Sequence, residues 1–122
     1  MLAVGEPLLG QVDDRLCRMM TALAGGLGGS HEEMCGALSA GTLLVGALYG
    51  RTSPDQGDET CFAVASSFRQ GFVAEWGTTR CADLRAKGYG SEGSIPCAAL
   101  VQRAALILLD LLDGRSGGLP SG

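Results

Sequence analysis

The run from Met34 to Gly50 carries no charged side chain, and a helical wheel puts apolar or small residues on every side of it. A helix that is apolar all round is buried in a large core or spans a membrane. This run falls short of the roughly 18–20 apolar residues that a bilayer requires. It therefore reads as the central helix of a soluble bundle, with no membrane insertion. Gly36, Gly41, Gly46 and Gly50, together with Ala37, Ser39, Ala40 and Ala47, leave little side-chain bulk. A glycine inside a helix costs about 1 kcal/mol relative to alanine, so several in one helix point to close approach by neighbouring backbone. Cys35 falls in the first turn, where the helix dipole is expected to lower a thiol pKa.

The rest of the chain supplies partners for that helix. Residues 1–9 read as the tail of a helix broken by Gly5 and Pro7. Asp13 and Asp14 open the next helix, placed where the dipole favours acids. Leu16, Met19, Met20, Leu23 and Leu27 follow at helical spacing, and Gly25-Gly26 and Gly28-Gly29 close it. Ser30-His31-Glu32-Glu33 has the form of a capping box for the central helix, and Ser53-Pro54-Asp55-Gln56 that of a second, with Pro54 at the first helical position. Cys61, Phe62, Val64, Ala65, Phe68, Phe72, Val73 and Trp76 then mark an amphipathic helix ending at Gly77. A short turn at 82–86 and a glycine-rich loop precede a last helix opened by Ser94-Ile95-Pro96-Cys97, running through Leu100, Val101, Ala104, Leu108 and Leu111 and stopping near Gly114. No strand pattern is evident. The expected fold is all-α: a compact bundle of four to five helices around the Gly/Ala-rich central one, with residues 1–114 a single domain and 115–122 a flexible Gly/Ser/Pro tail.

With a net charge of −4 and no basic patch, the chain is unsuited to nucleic acid or to a polybasic membrane anchor. Met1 to Glu6 has no basic n-region, so no secretory signal is read there. Five cysteines, none in a Cys-x-x-Cys pair, argue against a secreted disulfide framework and for a reducing, cytoplasmic setting. Gly25 to Gly29 lacks the Gly-Lys-Ser/Thr ending and the preceding strand of a phosphate loop, and reads as a tight turn between closely packed helices, close to Cys35. His31, the single histidine, has no nucleophile motif beside it and reads as a solvated surface residue. Asp13-Asp14 and Glu32-Glu33 are adjacent in sequence and point apart on a helix, so neither makes an acid/base pair.

Taken in order, Gly25-Gly26-Leu27-Gly28-Gly29, Cys35-Gly36-Ala37, Leu48-Tyr49-Gly50, Thr79-Arg80-Cys81 and Cys97 before a Leu-rich helix resemble the C-GCAxxG-C-C family, to which a redox role is ascribed. The resemblance runs from about Asp13 to Asp113. It implies a small helical protein with four characteristic cysteines. Cys35 matches the cysteine of the Cys-Gly-Ala motif, and Cys81 and Cys97 match the two downstream ones. The family's first cysteine has no match. Cys17 lies in the following helix, at a position where the family has an apolar residue. The abrupt start of the first helix leads to the expectation that the missing cysteine lies upstream of Met1 rather than having been lost. Ala40 stands where the motif has glycine, and Gly41 follows.

Cys35, Cys81 and Cys97 are thus the candidate catalytic and metal-ligating residues, with Gly36 beside Cys35 as a further cofactor-binding candidate. Three thiols at element starts can converge on one point. There they can hold an iron–sulfur cluster or a soft transition metal, which thiolates select, or cycle between dithiol and disulfide. A closed metal site wants a fourth ligand, for which His31, Cys61 or a partner subunit are candidates. Cys17 and Cys61 read as structural. Such a protein implies a redox partner, and a short apolar chain is compatible with a homo-oligomer. The competing reading is a non-catalytic helical interaction module whose cysteines are inert, buried thiols.

Overall fold

In a computed structural model, residues 14–90, 93 and 95–114 are described. The expected helix over 1–9 and the tail over 115–122 lie outside them. Five helices follow in order: α1 (Asp14–Thr21), α2 (Gly36–Tyr49), α3 (Glu59–Trp76), α4 (Cys81–Ala86) and α5 (Cys97–Gly114). Among the described residues the only β pairings are isolated bridges, Met34 with Arg80 and Tyr89 with Ile95. The all-α expectation holds.

Three helices make the core. On α3 the buried side chains Val64, Phe68, Phe72 and Trp76 recur every fourth residue. On α5 Leu100, Ala104, Leu108 and Leu112 do the same. Residues four apart lie on one face of a helix, so each helix turns a single stripe inward. Gly71 lets α5 approach closely, since a Cβ there would stand 3.1 Å from Ile107 Cγ2. Both stripes close on α2, whose Ala37, Leu38, Ala40, Gly41, Leu44 and Val45 are buried. α2 is not buried all round, however, because Thr42 and Ala47 are exposed. Phe72 and Trp76 rings lie 4.4 Å apart, and Trp76 Nε1 donates to Tyr89 Oη at 3.0 Å. This bond pins the loop after α4 to the core. Among the described residues no helix is long and apolar enough to cross a membrane.

Both expected capping boxes are corrected. Ser30 Oγ donates to Gly26 O and accepts from Glu32 N, so it closes a turn well ahead of α2, whose N-cap is Cys35. Ser53 likewise accepts from Gln56 N and Asp55 N in a local turn, and α3 starts later, with Asp58 as N-cap. Ser, Asp and Asn side chains satisfy turns as readily as helix starts. The pattern alone does not separate the two uses. Gly77 ends α3 as expected, with φ +75°.

The helix opened by Asp14 also stops earlier than its apolar spacing predicts. α1 ends at Thr21, because Gly25, Gly26, Leu27, Gly28 and Gly29 all have positive φ, between 61° and 74°. Five consecutive left-handed residues reverse the hand of the chain, which only glycine does cheaply. The glycines therefore build the expected tight turn, and it is left-handed.

Candidate functional site

This left-handed turn packs against the segments that carry the cysteines. A Cβ on Gly26 would stand 2.6 Å from Cys81 Cβ and 2.8 Å from His31 Cα. A Cβ on Gly36 would stand 3.0 Å from Ala24 Cα and 3.1 Å from Leu23 O. Each glycine thus replaces a side chain with backbone of the neighbouring segment. That explains the glycines at 26 and 36.

Backbone pairing then sets Cys35 and Cys81. Met34 and Arg80 form an antiparallel bridge. Beside it, Cys35 N donates to Thr79 O at 2.7 Å and Cys81 N donates to Glu33 O at 2.9 Å. Side chains alternate across a paired segment. Met34 and Arg80 therefore share one, outward face and are exposed, while Cys35 and Cys81 turn to the other. The two cysteines are diagonal neighbours on that face. Cys35 is the N-cap of α2 and Cys81 the first residue of α4.

The inner face opens on a cavity of about 370 Å³ formed by the described residues. Cys17, Cys35, Cys81 and Cys97 all line it, with Gly36, Met20, Leu84, Leu100 and Val101. Arg85 is the one charged residue among the described residues lining it, and Tyr89 stands beside it. Cys81 is buried, Cys17 and Cys35 are half-buried, and Cys97 is exposed at the start of α5. The structure therefore places Cys35, Gly36, Cys81 and Cys97 around one space. His31 and Cys61 lie outside it. His31 is half-buried with φ +63° and serves the turn, and Cys61 packs against the core.

The expected lowering of the Cys35 thiol pKa is corrected. Burial pushes it above the ordinary value. The amides of Ala37 and Leu38 at the helix start act against this, and Cys81 and Cys97 nearby add to the rise. Burial also raises Cys81; Arg85 opposes that rise and Cys97 reinforces it. Desolvation outweighs the helix dipole because the thiolate would sit in an apolar space. Both groups therefore stay protonated in the native state as pH rises past about 8.5, where an ordinary thiol ionises. A raised native pKa contributes stability below the unfolded value and loses it as pH climbs through the native one. Two consequences are measurable. Iodoacetamide should label Cys35 and Cys81 of the reduced protein more slowly than a model thiol at pH 8. The urea midpoint should fall as pH rises above about 8.5, and this fall should shrink in the double variant Cys35→Ala/Cys81→Ala.

All five cysteines carry free thiols. Their chemistry suits a soft metal, yet among the described residues no three His, Cys, Asp or Glu side chains are grouped to hold one. As they lie, the thiols surround a space rather than converge on a point. Sequence reasoning missed Arg85 and set Cys17 aside. A basic residue four positions after Cys81 falls on the same face of a short helix, and Cys17 sits three before Met20 on α1. Both signals are legible once the helices are known.

A family model described as "putative redox-active protein (C_GCAxxG_C_C)" matches residues 1–111. No curated protein and no solved structure matches the chain.

Proposed function

Because the chain belongs to the C_GCAxxG_C_C family, to which a redox role is ascribed, we propose that it works through its thiols, with Cys35 and Cys81 as the pair that cycles between dithiol and disulfide. One observation carries this reading: the Met34–Arg80 bridge turns both cysteines to the same side, into the cavity that Cys97 also lines. Diagonal neighbours across an antiparallel pair have Cα atoms about 7–8 Å apart. A disulfide needs roughly 4.4–6.8 Å. The two segments must therefore close by about an ångström on oxidation. In that step both thiols lose a proton, an S–S bond forms, and two electrons and two protons pass to a disulfide of a redox partner protein, which leaves as two thiols. Cys97, the exposed member, is where a partner reaches the set. The walls around the pair are largely apolar, and Arg85 is the one charge among the described lining residues that favours a thiolate there.

The proposal places the protein in a reducing compartment, the cytoplasm. A second copy of the chain remains a candidate partner on the strength of its apolar content. The same thiols are those that an iron–sulfur cluster or soft transition metal would engage, but they would first have to draw together.

The test is a redox titration with reduced and oxidised glutathione on anaerobically purified protein, with free thiols blocked and linked peptides mapped by mass spectrometry. We expect a Cys35–Cys81 link that forms and is lost reversibly, and that vanishes in Cys35→Ser and Cys81→Ser. Metal and sulfide analysis runs alongside. Iron and sulfide with visible absorbance would assign these thiols to a cluster instead. Absence of both disulfide and metal, with thiols that react only after unfolding, would leave a helical interaction module.

A further inference from the structure

Cys17 and Cys61 are the two cysteines that the family pattern leaves unassigned, and of the two only Cys17 lines the same cavity as Cys35, Cys81 and Cys97. We propose that Cys17 is the resolving thiol of the site, taking the disulfide over from Cys81 to give a Cys17–Cys35 bond. This rests on the reading that Cys35 and Cys81 form the first oxidised pair.

The route is set by packing. The segment following α1 is pressed onto the start of α2 at Gly36, where the Ala24 and Leu23 backbone occupies the place of a side chain. Cys35 is the residue next to Gly36. The segment that continues the Cys17 helix therefore meets α2 next to Cys35, and Cys17 and Cys35 line the same cavity. α1 has only eight residues and only Met20 of them is buried, so shifting it sacrifices little apolar contact. Cys61 offers an internal comparison. It too is a half-buried helical cysteine, but it packs on the core away from the cavity.

The step is an exchange with no net oxidation. The Cys17 thiolate attacks Cys35 Sγ, the Cys17–Cys35 bond forms, and the Cys35–Cys81 bond breaks. The electron pair leaves on Cys81 Sγ, which takes up the proton that Cys17 gave. A better-stabilised leaving thiolate departs faster. Arg85, one turn along α4 from Cys81, opposes the effect of burial on that thiol and lines the same cavity.

A time-resolved quench tests the proposal. The reduced protein is oxidised with glutathione disulfide, trapped with N-ethylmaleimide at intervals, and its linked peptides are mapped. Wild type should show the Cys35–Cys81 link first, decaying into Cys17–Cys35. In Cys17→Ser and Cys17→Ala the Cys35–Cys81 link should persist at several-fold higher yield, while Cys61→Ser behaves as wild type. Circular dichroism checks that each variant is folded. Equal Cys35–Cys81 yields in wild type and both Cys17 variants, or Cys17 found linked only to Cys61, would overturn the role of Cys17 and leave the Cys35–Cys81 reading standing. Absence of any link between Cys35 and Cys81 in every protein would remove the underlying reading as well.

Discussion

Gly26→Ala should cost about 3 kcal/mol of stability and lower Tm by roughly 10–20 °C, with no contact of a large side chain lost. Two costs combine. Gly26 has φ +69°, and an L-residue held in the left-handed region loses roughly 1–2 kcal/mol. Its new methyl group would also stand 2.6 Å from Cys81 Cβ, 2.8 Å from His31 Cα and 3.0 Å from His31 C. Two of those neighbours are backbone atoms and the third is the stiff base of a buried side chain, so none moves aside cheaply. Overpacking of this kind typically costs a further 1–3 kcal/mol. Gly28→Ala separates the two costs. Gly28 has φ +61° but nothing within 4 Å of its would-be Cβ, so only the backbone cost of about 1–2 kcal/mol applies. Urea denaturation of the two variants beside wild type makes the comparison. Equal losses would mean that Gly26 does not press on Cys81. A larger loss for Gly26→Ala, with altered thiol labelling of Cys81, would confirm that the glycine turn positions this cysteine.

Phe68→Ala should be comparably severe, at about 3–5 kcal/mol. Phe68 is 0% exposed and belongs to the buried cluster that includes Leu44 and Val45 of α2 and Ala104 and Leu108 of α5. Removing the ring loses its transfer free energy and leaves a cavity that close-packed neighbours fill only in part. A domain of ordinary stability, about 5–15 kcal/mol, keeps a small margin or none. Phe62→Ala on the same helix is the matched control, because that ring is 66% exposed. It should change stability by no more than about 0.5 kcal/mol. The urea midpoints of the pair decide the point. A Phe68 variant as stable as the Phe62 variant would contradict the core described here.

How much of this was legible in the chain differs by feature. The stripe from Val64 to Trp76 and most of that in α5 were readable, since a buried helical face leaves a four-residue period that no neighbour has to explain, although Phe62, read with the first, is exposed and Leu112 rather than Leu111 closes the second. The end of α3 at Gly77 was readable for the same local reason. The start of α2 was not. Ser30 to Glu33 has the composition of a capping box, but the Gly26 carbonyl lies within reach of the Ser30 hydroxyl and the turn takes it. The glycine run was seen as a helix stop and as close packing. That the run is left-handed and packs at Gly26 against Cys81, far along the chain, was not legible in it.

The cysteine set follows the same division. Cys35, Cys81 and Cys97 could be named from the order of short motifs in the chain, because each sits at the start of an element and such positions are marked by local sequence. That Cys35 and Cys81 share a face was decided by a bridge between Met34 and Arg80, two residues far apart in the chain. Whether the thiols are acidified was likewise a tertiary matter. A helix start argues for a lowered pKa, but burial in an apolar space works the other way and prevails at Cys35. Cys17 gives the clearest case. By sequence it is one apolar-like residue in an amphipathic helix, and its place on the cavity wall with the other thiols appears only once the segment after its helix is packed on α2 at Gly36. Local periodicity and turn chemistry are written residue by residue and can be read from the chain. Convergence, burial and the electrostatics that burial controls belong to pairs of residues that only folding brings together.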